Sequence, residues 1–273
     1  MDQVSTVGAM SRPVVALLTD FGTLDHYSGT MKGVVLDICP DANVVDISHD
    51  IPPHDVHTAS LELAAAYRYF PEGTVFLVVV DPGVGSGRRA LAAETVNYHF
   101  VAPDNGVMTH VFRERAPKLV VELTERRYAR PTISRTFEGR DRFAPVAAWI
   151  AKGVKLTSFG RQFNDYRLLG SPEATVKKDE IVGEVLLIDR FGNIITNIDR
   201  SMFMRFSERG SLQIEIGDIS IRRVVDTYSD IGLGEVCGLF GSNEKLEFAA
   251  NAESAAERLS VTSGIPVIVR RRD

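Results

Sequence analysis

The sequence predicts an α/β N-terminal domain with a mostly parallel sheet, followed by a smaller antiparallel β domain. Three observations support this fold class. Apolar runs alternate with helix-like periodicity before about residue 175, strand-like runs dominate after it, and the polar, proline-containing stretch 170–179 separates the two patterns. We therefore expect one domain over residues 13–170 and a second over residues 178–273.

The first part alternates strand and helix patterns. The expected strands are Val14–Leu18, Val44–Ile47 and Val75–Val80, and the expected helices are Asp25–Ile38 and Asp55–Tyr69, in which apolar residues recur every three or four positions. Such an order is typical of parallel sheets, which bind ligands beyond the carboxyl ends of their strands. Asp20, His49 and Asp81 stand at or just past such ends.

The second part consists mainly of strand patterns. The expected strands are Ile181–Ile188, Asn193–Ile198, Leu212–Ile216, Ile219–Val225 and Pro266–Val269. One short helix, about Ser254–Leu259, interrupts them. Runs of short strands with a single helix favour an antiparallel sheet.

Composition excludes several classes of protein. The chain has 273 residues, of which 44% are hydrophobic and 25% charged, and its formal net charge is −5. This balance argues against nucleic-acid and membrane partners, which need a basic face. No apolar run approaches the roughly 18–20 residues of a membrane span, and residues 1–12 lack a signal-peptide core. Cys39 and Cys237 are expected to be reduced thiols, so we expect a cytoplasmic protein.

A glycine-rich turn follows the third expected strand. It reads Asp81-Pro-Gly-Val-Gly-Ser-Gly-Arg88, and its spacing fits neither a Walker loop nor a dinucleotide fingerprint. A tight hairpin whose glycines supply positive φ angles explains the pattern about as well as a functional site. Asp81 and Arg88 favour the site, since the arginine can fold back over the carboxylate.

Six motifs, in this order, resemble those of the S-adenosylmethionine hydroxide adenosyltransferases, a family related to the fluorinase and chlorinase. They are Leu18-Thr-Asp-Phe-Gly-Thr23, Asp81-Pro-Gly-Val-Gly-Ser-Gly-Arg88, Ala102-Pro-Asp-Asn-Gly106, Thr136-Phe-Glu-Gly-Arg-Asp-Arg-Phe-Ala-Pro145, Phe191-Gly-Asn-Ile-Ile-Thr-Asn197 and Gly241-Ser-Asn243. The resemblance extends from about Pro13 to Arg271. It implies a β-barrel-like C-terminal domain and a homotrimer, or a dimer of trimers, with sites between subunits.

The resemblance also implies a reaction. Water-derived hydroxide attacks the ribose C5′ of S-adenosyl-L-methionine (SAM), giving adenosine and L-methionine. The leaving group is a neutral thioether, so the reaction needs no metal or other cofactor. Water must be held in line and polarised by a carboxylate, which a cation holds in place. Asp81 and Arg88 fit these roles, and the halogenases carry a non-acidic residue at the Asp81 position, so we expect a hydrolase.

Glu138 departs from the family pattern. Family hydrolases read Phe-His-Gly-Arg-Asp where this chain reads Phe137-Glu-Gly-Arg-Asp141, so Glu138 stands in place of a catalytic histidine. Two acids near one arginine should not both ionise freely. Glu138 is a working substitute, or it slows the chemistry and leaves a catalytically weak SAM- or adenosine-binding protein, or it faces elsewhere. A halogenase is disfavoured by Asp81.

The resemblance assigns substrate contacts at the nucleoside end. It implies that Asp20 accepts hydrogen bonds from the ribose 2′- and 3′-hydroxyls, although an aspartate after a strand also commonly caps a loop. Asn193 would face the adenine side, and Ala252 would meet the adenine through backbone groups.

The methionine end has its own set of residues. The resemblance implies that Asp189 pairs with the ammonium group and Ser242 with the carboxylate. The halogenases follow this serine with an arginine, whereas this chain has Asn243, so neutral donors would recognise the carboxylate here.

One histidine-rich segment resembles a metal-binding site in composition. His49, His54 and His57 lie among Asp46, Asp50 and Asp55. No pair has a convincing ligand spacing with a third partner, so we predict no metal site.

Overall fold

The computed structural model describes residues 12–208 and 211–271, so nearly all of the segment 1–12 examined for a signal peptide lies outside the described residues. The chain divides into two compact units between Leu169 and Gly170. The stretch 170–179 contains a two-residue strand, Thr175–Val176, which pairs with the first long strand of the second unit.

The N-terminal unit is built on one mixed sheet. Its strands are β1 (Val14–Thr19), β2 (Asn43–Ser48), β3 (Val75–Val79), β4 (Ala90–Glu94), β5 (His99–Pro103) and β6 (Leu119–Glu122), in the order β2-β1-β3-β5-β4-β6. The pairs β1–β2, β1–β3 and β3–β5 are parallel, whereas β4 runs antiparallel to β5 and β6. The predicted α/β class with a mostly parallel sheet is confirmed.

Helices cover both faces of this sheet. They are α1 (Tyr27–Ile38), α2 (Val56–Ala66), α3 (Thr109–Glu114) and α4 (Ala144–Ala151), and a π-helical turn, Gly139–Phe143, leads into α4. Alternate β1 residues belong to different cores: Leu17 packs with α1 and α4 residues, and Leu18 packs with α2 and α3 residues. A strand buried on both faces needs a continuous apolar run. For this reason β1 and β3 could be predicted from the sequence as strands.

The glycine-rich turn is not a hairpin. Strands β3 and β4, which it connects, do not pair, because β5 lies between them. Of its three glycines only Gly85 has a positive φ, of 75°. A Cβ at Gly85 would lie 2.5 Å from the carbonyl oxygen of Arg135, so the glycine permits a close backbone approach. The hairpin interpretation is therefore wrong.

The C-terminal unit is an antiparallel, barrel-like sheet. Its strands are β7 (Thr175–Val176), β8 (Glu180–Ile188), β9 (Ile194–Asp199), β10 (Leu212–Ile216), β11 (Ile219–Ile221), β12 (Val236–Phe240), β13 (Lys245–Ala250) and β14 (Pro266–Arg271), in the order β11-β10-β14-β8-β9-β13-β12 with β7 on β8. A bridge between Val224 and Gly238 joins the segment after β11 to β12, the two ends of this order. The expected barrel-like domain is confirmed.

Three predictions in this unit were wrong in detail. The expected strand Ile219–Val225 ends at Ile221, and the expected single helix, found as α6 (Ala255–Leu259), is joined by α5 (Arg200–Ser207). Strands β12 and β13 were also missed. Gly238 weakens the strand pattern of β12, and the buried Glu247 interrupts the apolar pattern of β13.

Two further expectations concern cysteines and membranes. Cys39 and Cys237 are both buried free thiols, as predicted. No helix in residues 12–208 and 211–271 is long and apolar enough to cross a membrane.

Candidate active site

Asp81 and Arg88 form a tight ion pair at the carboxyl end of β3. The Arg88 Nε lies 2.9 Å from each Asp81 carboxylate oxygen, and Nη2 also donates to Oδ2. The two side chains are only 5% and 9% exposed. Phe143 lies against the guanidinium, with its ring centroid 5.3 Å from Cζ. The predicted folding of Arg88 over Asp81 is confirmed.

Glu138 joins this pair. Its Oε2 accepts a hydrogen bond of 2.6 Å from Nη2 of Arg88, and its side chain is 12% exposed. Burial disfavours the charged form of Arg88, but the hydrogen bonds and charges of Asp81 and Glu138 outweigh burial and raise the pKa of Arg88 above its usual value. The interpretation in which Glu138 faces elsewhere is wrong.

The segment that carries Glu138 is anchored by its neighbour Asp141. The buried Asp141 carboxylate accepts bonds of 2.6 and 2.8 Å from Arg140 and of 2.8 Å from the backbone N–H of Ser134. Burial raises the pKa of Asp141, but these partners and the charge of Arg130 outweigh burial, and the net pKa is lowered. Asp141 therefore ties the π-helical turn to the preceding segment at Ser134.

The second arginine of the turn has a structural partner. Arg89 Nε donates to Asp104 at 2.9 Å, and its guanidinium lies 4.1 Å from the ring centroid of Phe163. Asp104 belongs to the Ala102–Gly106 motif and is buried. The two adjacent arginines thus point to different carboxylates, and only Arg88 belongs to the Asp81 cluster.

Asp20 lies at the same edge of the sheet as Asp81. Strands β1 and β3 are parallel neighbours with Thr19 opposite Val79, so Asp20 and Asp81 follow at nearly the same level. One Asp20 oxygen accepts a 2.8 Å bond from the backbone N–H of His54. Asp20 is therefore a loop cap, and its other oxygen accepts no hydrogen bond from the residues that the structure describes.

The histidine-rich segment is held by ordinary hydrogen bonds. His49 is buried, with Nδ1 2.8 Å from the Thr19 hydroxyl and Nε2 3.0 Å from Asp46. Among the residues that the structure describes, no group of three or more His, Cys, Asp or Glu side chains is arranged to hold a metal ion.

In the C-terminal unit, Asp189 and Asn193 bind each other. Asp189 accepts bonds of 2.8 Å from the Phe191 N–H, 2.9 Å from the Asn193 N–H and 2.8 Å from the Asn193 side-chain amide. Gly192, with φ of 82°, packs directly against Ser254. Both Asp189 oxygens thus shape this loop.

The other predicted contacts lie at the two ends of β13. Ser242 and Asn243 occupy the exposed turn before β13, and Ala252, with φ of 62°, lies in the turn after it. The Asp189–Asn193 loop contacts α6, which follows the second of these turns, since the N–H of Ala256 donates to the Gly192 carbonyl at 2.9 Å. Within this unit the structure joins Asn193 directly to Asp189.

Two charged residues near the predicted site residues were not predicted from the sequence, Glu247 in the C-terminal unit and Arg142 in the N-terminal unit. Glu247 in β13 is buried, and Tyr228 donates a 3.2 Å bond to it. The pKa of Glu247 is raised, mainly by burial. The hydrogen bond from Tyr228 lowers this pKa, and the nearby charge of Asp189 raises it further. In the N-terminal unit, Arg142 lies 3.5 Å from Glu138. Their spacing of four residues was the available signal.

Comparison with known proteins places these residues in context. The family models for the SAM hydroxide adenosyltransferase N-terminal and C-terminal domains match residues 15–160 and 183–268. An (R)-S-adenosyl-L-methionine hydrolase of Thermus thermophilus is 38% identical over 94% of this chain and 98% of its own length. One of Salinispora tropica is 35% identical over 92% and 95%. A fluorinase of Nocardia brasiliensis is 28% identical over 95% and 97%.

Two solved structures are also similar. A crystal structure of an uncharacterized conserved protein from Thermotoga maritima aligns with a TM-score of 0.89 and 37% identity, covering 94% of this chain and all of the other. A conserved hypothetical protein from Thermus thermophilus aligns with a TM-score of 0.77 and 36% identity, covering 94% and 99%.

Proposed function

Because the chain belongs to the SAM hydroxide adenosyltransferase family, we propose that it hydrolyses S-adenosyl-L-methionine to adenosine and L-methionine. The observation that carries this proposal is the buried Asp81–Arg88 pair at the carboxyl end of β3. Relatives of 35% and 38% identity that are named SAM hydrolases support it. The protein is therefore an enzyme of the hydrolase class.

The reaction needs a base rather than an acid. The water oxygen forms a bond to C5′ while the C5′–S bond breaks, and the electron pair of that bond neutralises the sulfonium. The water gives up one proton. We assign Asp81 the role of polarising the water and accepting this proton, because Arg88 holds both of its oxygens. Since methionine leaves as a neutral thioether, we propose a reaction without metal or cofactor.

The Asp81 carboxylate favours water over a halide as nucleophile. Asp81 and Glu138 are both nearly buried around one guanidinium. A halide in direct contact with the Asp81 carboxylate would be repelled by it, whereas water can donate a hydrogen bond to it. The carboxylate at position 81 therefore favours hydrolysis over halogenation, although fluorinases are among the similar proteins.

Oxygen labelling tests the reaction. With SAM supplied as both sulfonium epimers in ¹⁸O-water, we expect adenosine labelled at its 5′-oxygen, together with unlabelled methionine. Attack at C5′ places the water oxygen there and nowhere else. Chromatography and mass spectrometry of the products measure this. Formation of 5′-methylthioadenosine with homoserine or its lactone would contradict displacement at C5′.

The substrate contacts form the second part of the proposal. We propose that the second oxygen of Asp20 binds the ribose diol, since it lies at the same sheet edge as Asp81. Asn193 and Ala252 are proposed for the adenine, and Asp189, Ser242 and Asn243 for the methionine portion. These roles rest on the family resemblance.

Assembly and compartment are also proposals. By the same resemblance we propose a homotrimer or a dimer of trimers, and from the two free cysteines we propose a cytoplasmic location. Light scattering coupled to size exclusion should then give three or six times the 30.0 kDa chain mass. An active monomer would reject this assembly.

A further inference from the structure

Arg142 is a charged residue of the active-site cluster without an assigned role. We infer that Arg142 is a positioning residue: it holds Glu138 against Arg88 and supplies the second positive charge that allows Asp81 and Glu138 to stand side by side as carboxylates. This inference rests on the proposed hydrolysis of SAM. If Arg142 has this role, Glu138 and Arg142 together replace the single histidine of the family pattern.

The two oxygens of Glu138 face different cations. Oε2 accepts a 2.6 Å bond from Nη2 of Arg88, whereas Oε1 lies 3.5 Å from Nη2 of Arg142. A carboxylate held from both sides has one orientation. Without Arg142, Glu138 would keep a single contact and could rotate about it.

Arg142 itself is fixed from behind. Its Nη1 donates a 3.2 Å bond to the backbone carbonyl of Leu123, just after β6. Its Nε is buried and has no hydrogen-bond partner among the described residues. Leaving a buried donor unpaired costs free energy, so packing alone does not explain an arginine here. The interaction of the arginine charge with Glu138 explains why an arginine stands at this position.

The charge balance explains the need for a second cation. Asp81 and Glu138 carry two negative charges when ionised, and Arg88 alone neutralises one of them. Among the described residues, the charged groups in contact with Glu138 are Arg88 and Arg142, and Asp81 lies on the other side of Arg88. From α1 the contact is the Met31 thioether beside Gly139, while Lys32 is turned to Asp46 at 2.6 Å. Arg142 therefore completes the neutral cluster.

Substitution of Arg142 tests this role. We expect Arg142→Leu to lower kcat about 10- to 100-fold with little change in KM, because a misplaced catalytic group costs rate rather than substrate binding. The acid limb of the kcat profile should move to higher pH, because removing a cation favours protonation of nearby carboxylates. Arg142→Lys should restore part of kcat and shift the limb back. A purely structural role would change the melting temperature and leave the pH profile in place.

Two further variants sharpen the test. Arg127→Leu removes an exposed arginine, whose side chain is 67% exposed, and should leave kcat unchanged. In a Glu138→His background Arg142 has no carboxylate to hold, so adding Arg142→Leu should cost much less than in the parent.

The outcomes separate the two proposals. The role of Arg142 would be wrong if Arg142→Leu lowered kcat equally in the parent and in the Glu138→His background. It would also be wrong if the folded Leu and Lys variants kept the parental rate and pH profile. Neither result would contradict the proposed hydrolysis of SAM. A parent protein that produces no adenosine would overturn the proposed function and this inference together.

Discussion

Replacement of Asp81 by asparagine should lower kcat for SAM hydrolysis about 10²- to 10⁴-fold, the usual contribution of a positioned acid–base group. Asparagine keeps the shape of the side chain but cannot accept the proton that the attacking water gives up. Arg88 would still have Glu138 as a buried partner, at 2.6 Å, so the fold should persist. KM should change little, since Asp81 is proposed to act on the water rather than on the substrate.

Steady-state formation of adenosine measures this effect. Asp41→Asn is the matched control, because Asp41 is exposed in the turn between α1 and β2 and lies outside the site. Its kcat should equal that of the parent. If Asp81→Asn retained parental kcat, the proton acceptor would be a different group and the proposed mechanism would be wrong.

Removal of the Glu138 carboxylate should have the second large effect. We expect Glu138→Ala to lower kcat about 10- to 1000-fold with little change in nucleoside affinity, because it leaves Nη2 of Arg88 without its second acceptor. Glu138→His should retain activity with a shifted pH profile, since an imidazole that titrates near pH ~6.5 replaces a carboxyl group. Glu125→Ala, at an exposed acid, serves as control.

The same variants distinguish the alternative function. In a catalytically weak SAM- or adenosine-binding protein, Glu138 would mark a loss of catalysis. Glu138→His would then raise kcat well above the parent, and Glu138→Ala would change it little. An unchanged rate and pH profile in both variants would show that Glu138 has no part in the chemistry, despite its contact with Arg88.

Some of this site could be predicted from the sequence because the relevant signals are local. The apolar runs of β1 and β3 are continuous, and each is followed directly by a polar end that carries an aspartate, Asp20 or Asp81. Parallel pairing then brings both aspartates to one edge. Arg88 was within reach because it stands only seven positions after Asp81.

Other features depend on contacts between distant parts of the chain. The glycine-rich turn resembled a hairpin, and only the insertion of β5 between β3 and β4 shows that it is a crossover. Asp189 was expected to bind substrate, yet its oxygens also hold the loop that contains Asn193. Hydrogen-bond partners of this kind depend on loop geometry, which side-chain type alone does not specify.

The sequence by itself determined the fold class and indicated that Arg88 can reach Asp81, because periodicity and short separations are properties of neighbouring residues. Only the tertiary structure decided the place of Glu138. Arg88 lies in the turn after β3, and Glu138 lies 50 residues later, just before the π-helical turn that leads into α4. Packing on the sheet brings the two side chains into contact. The balance of two carboxylates against Arg88 and Arg142 follows from that packing, because charges interact through space and not along the chain.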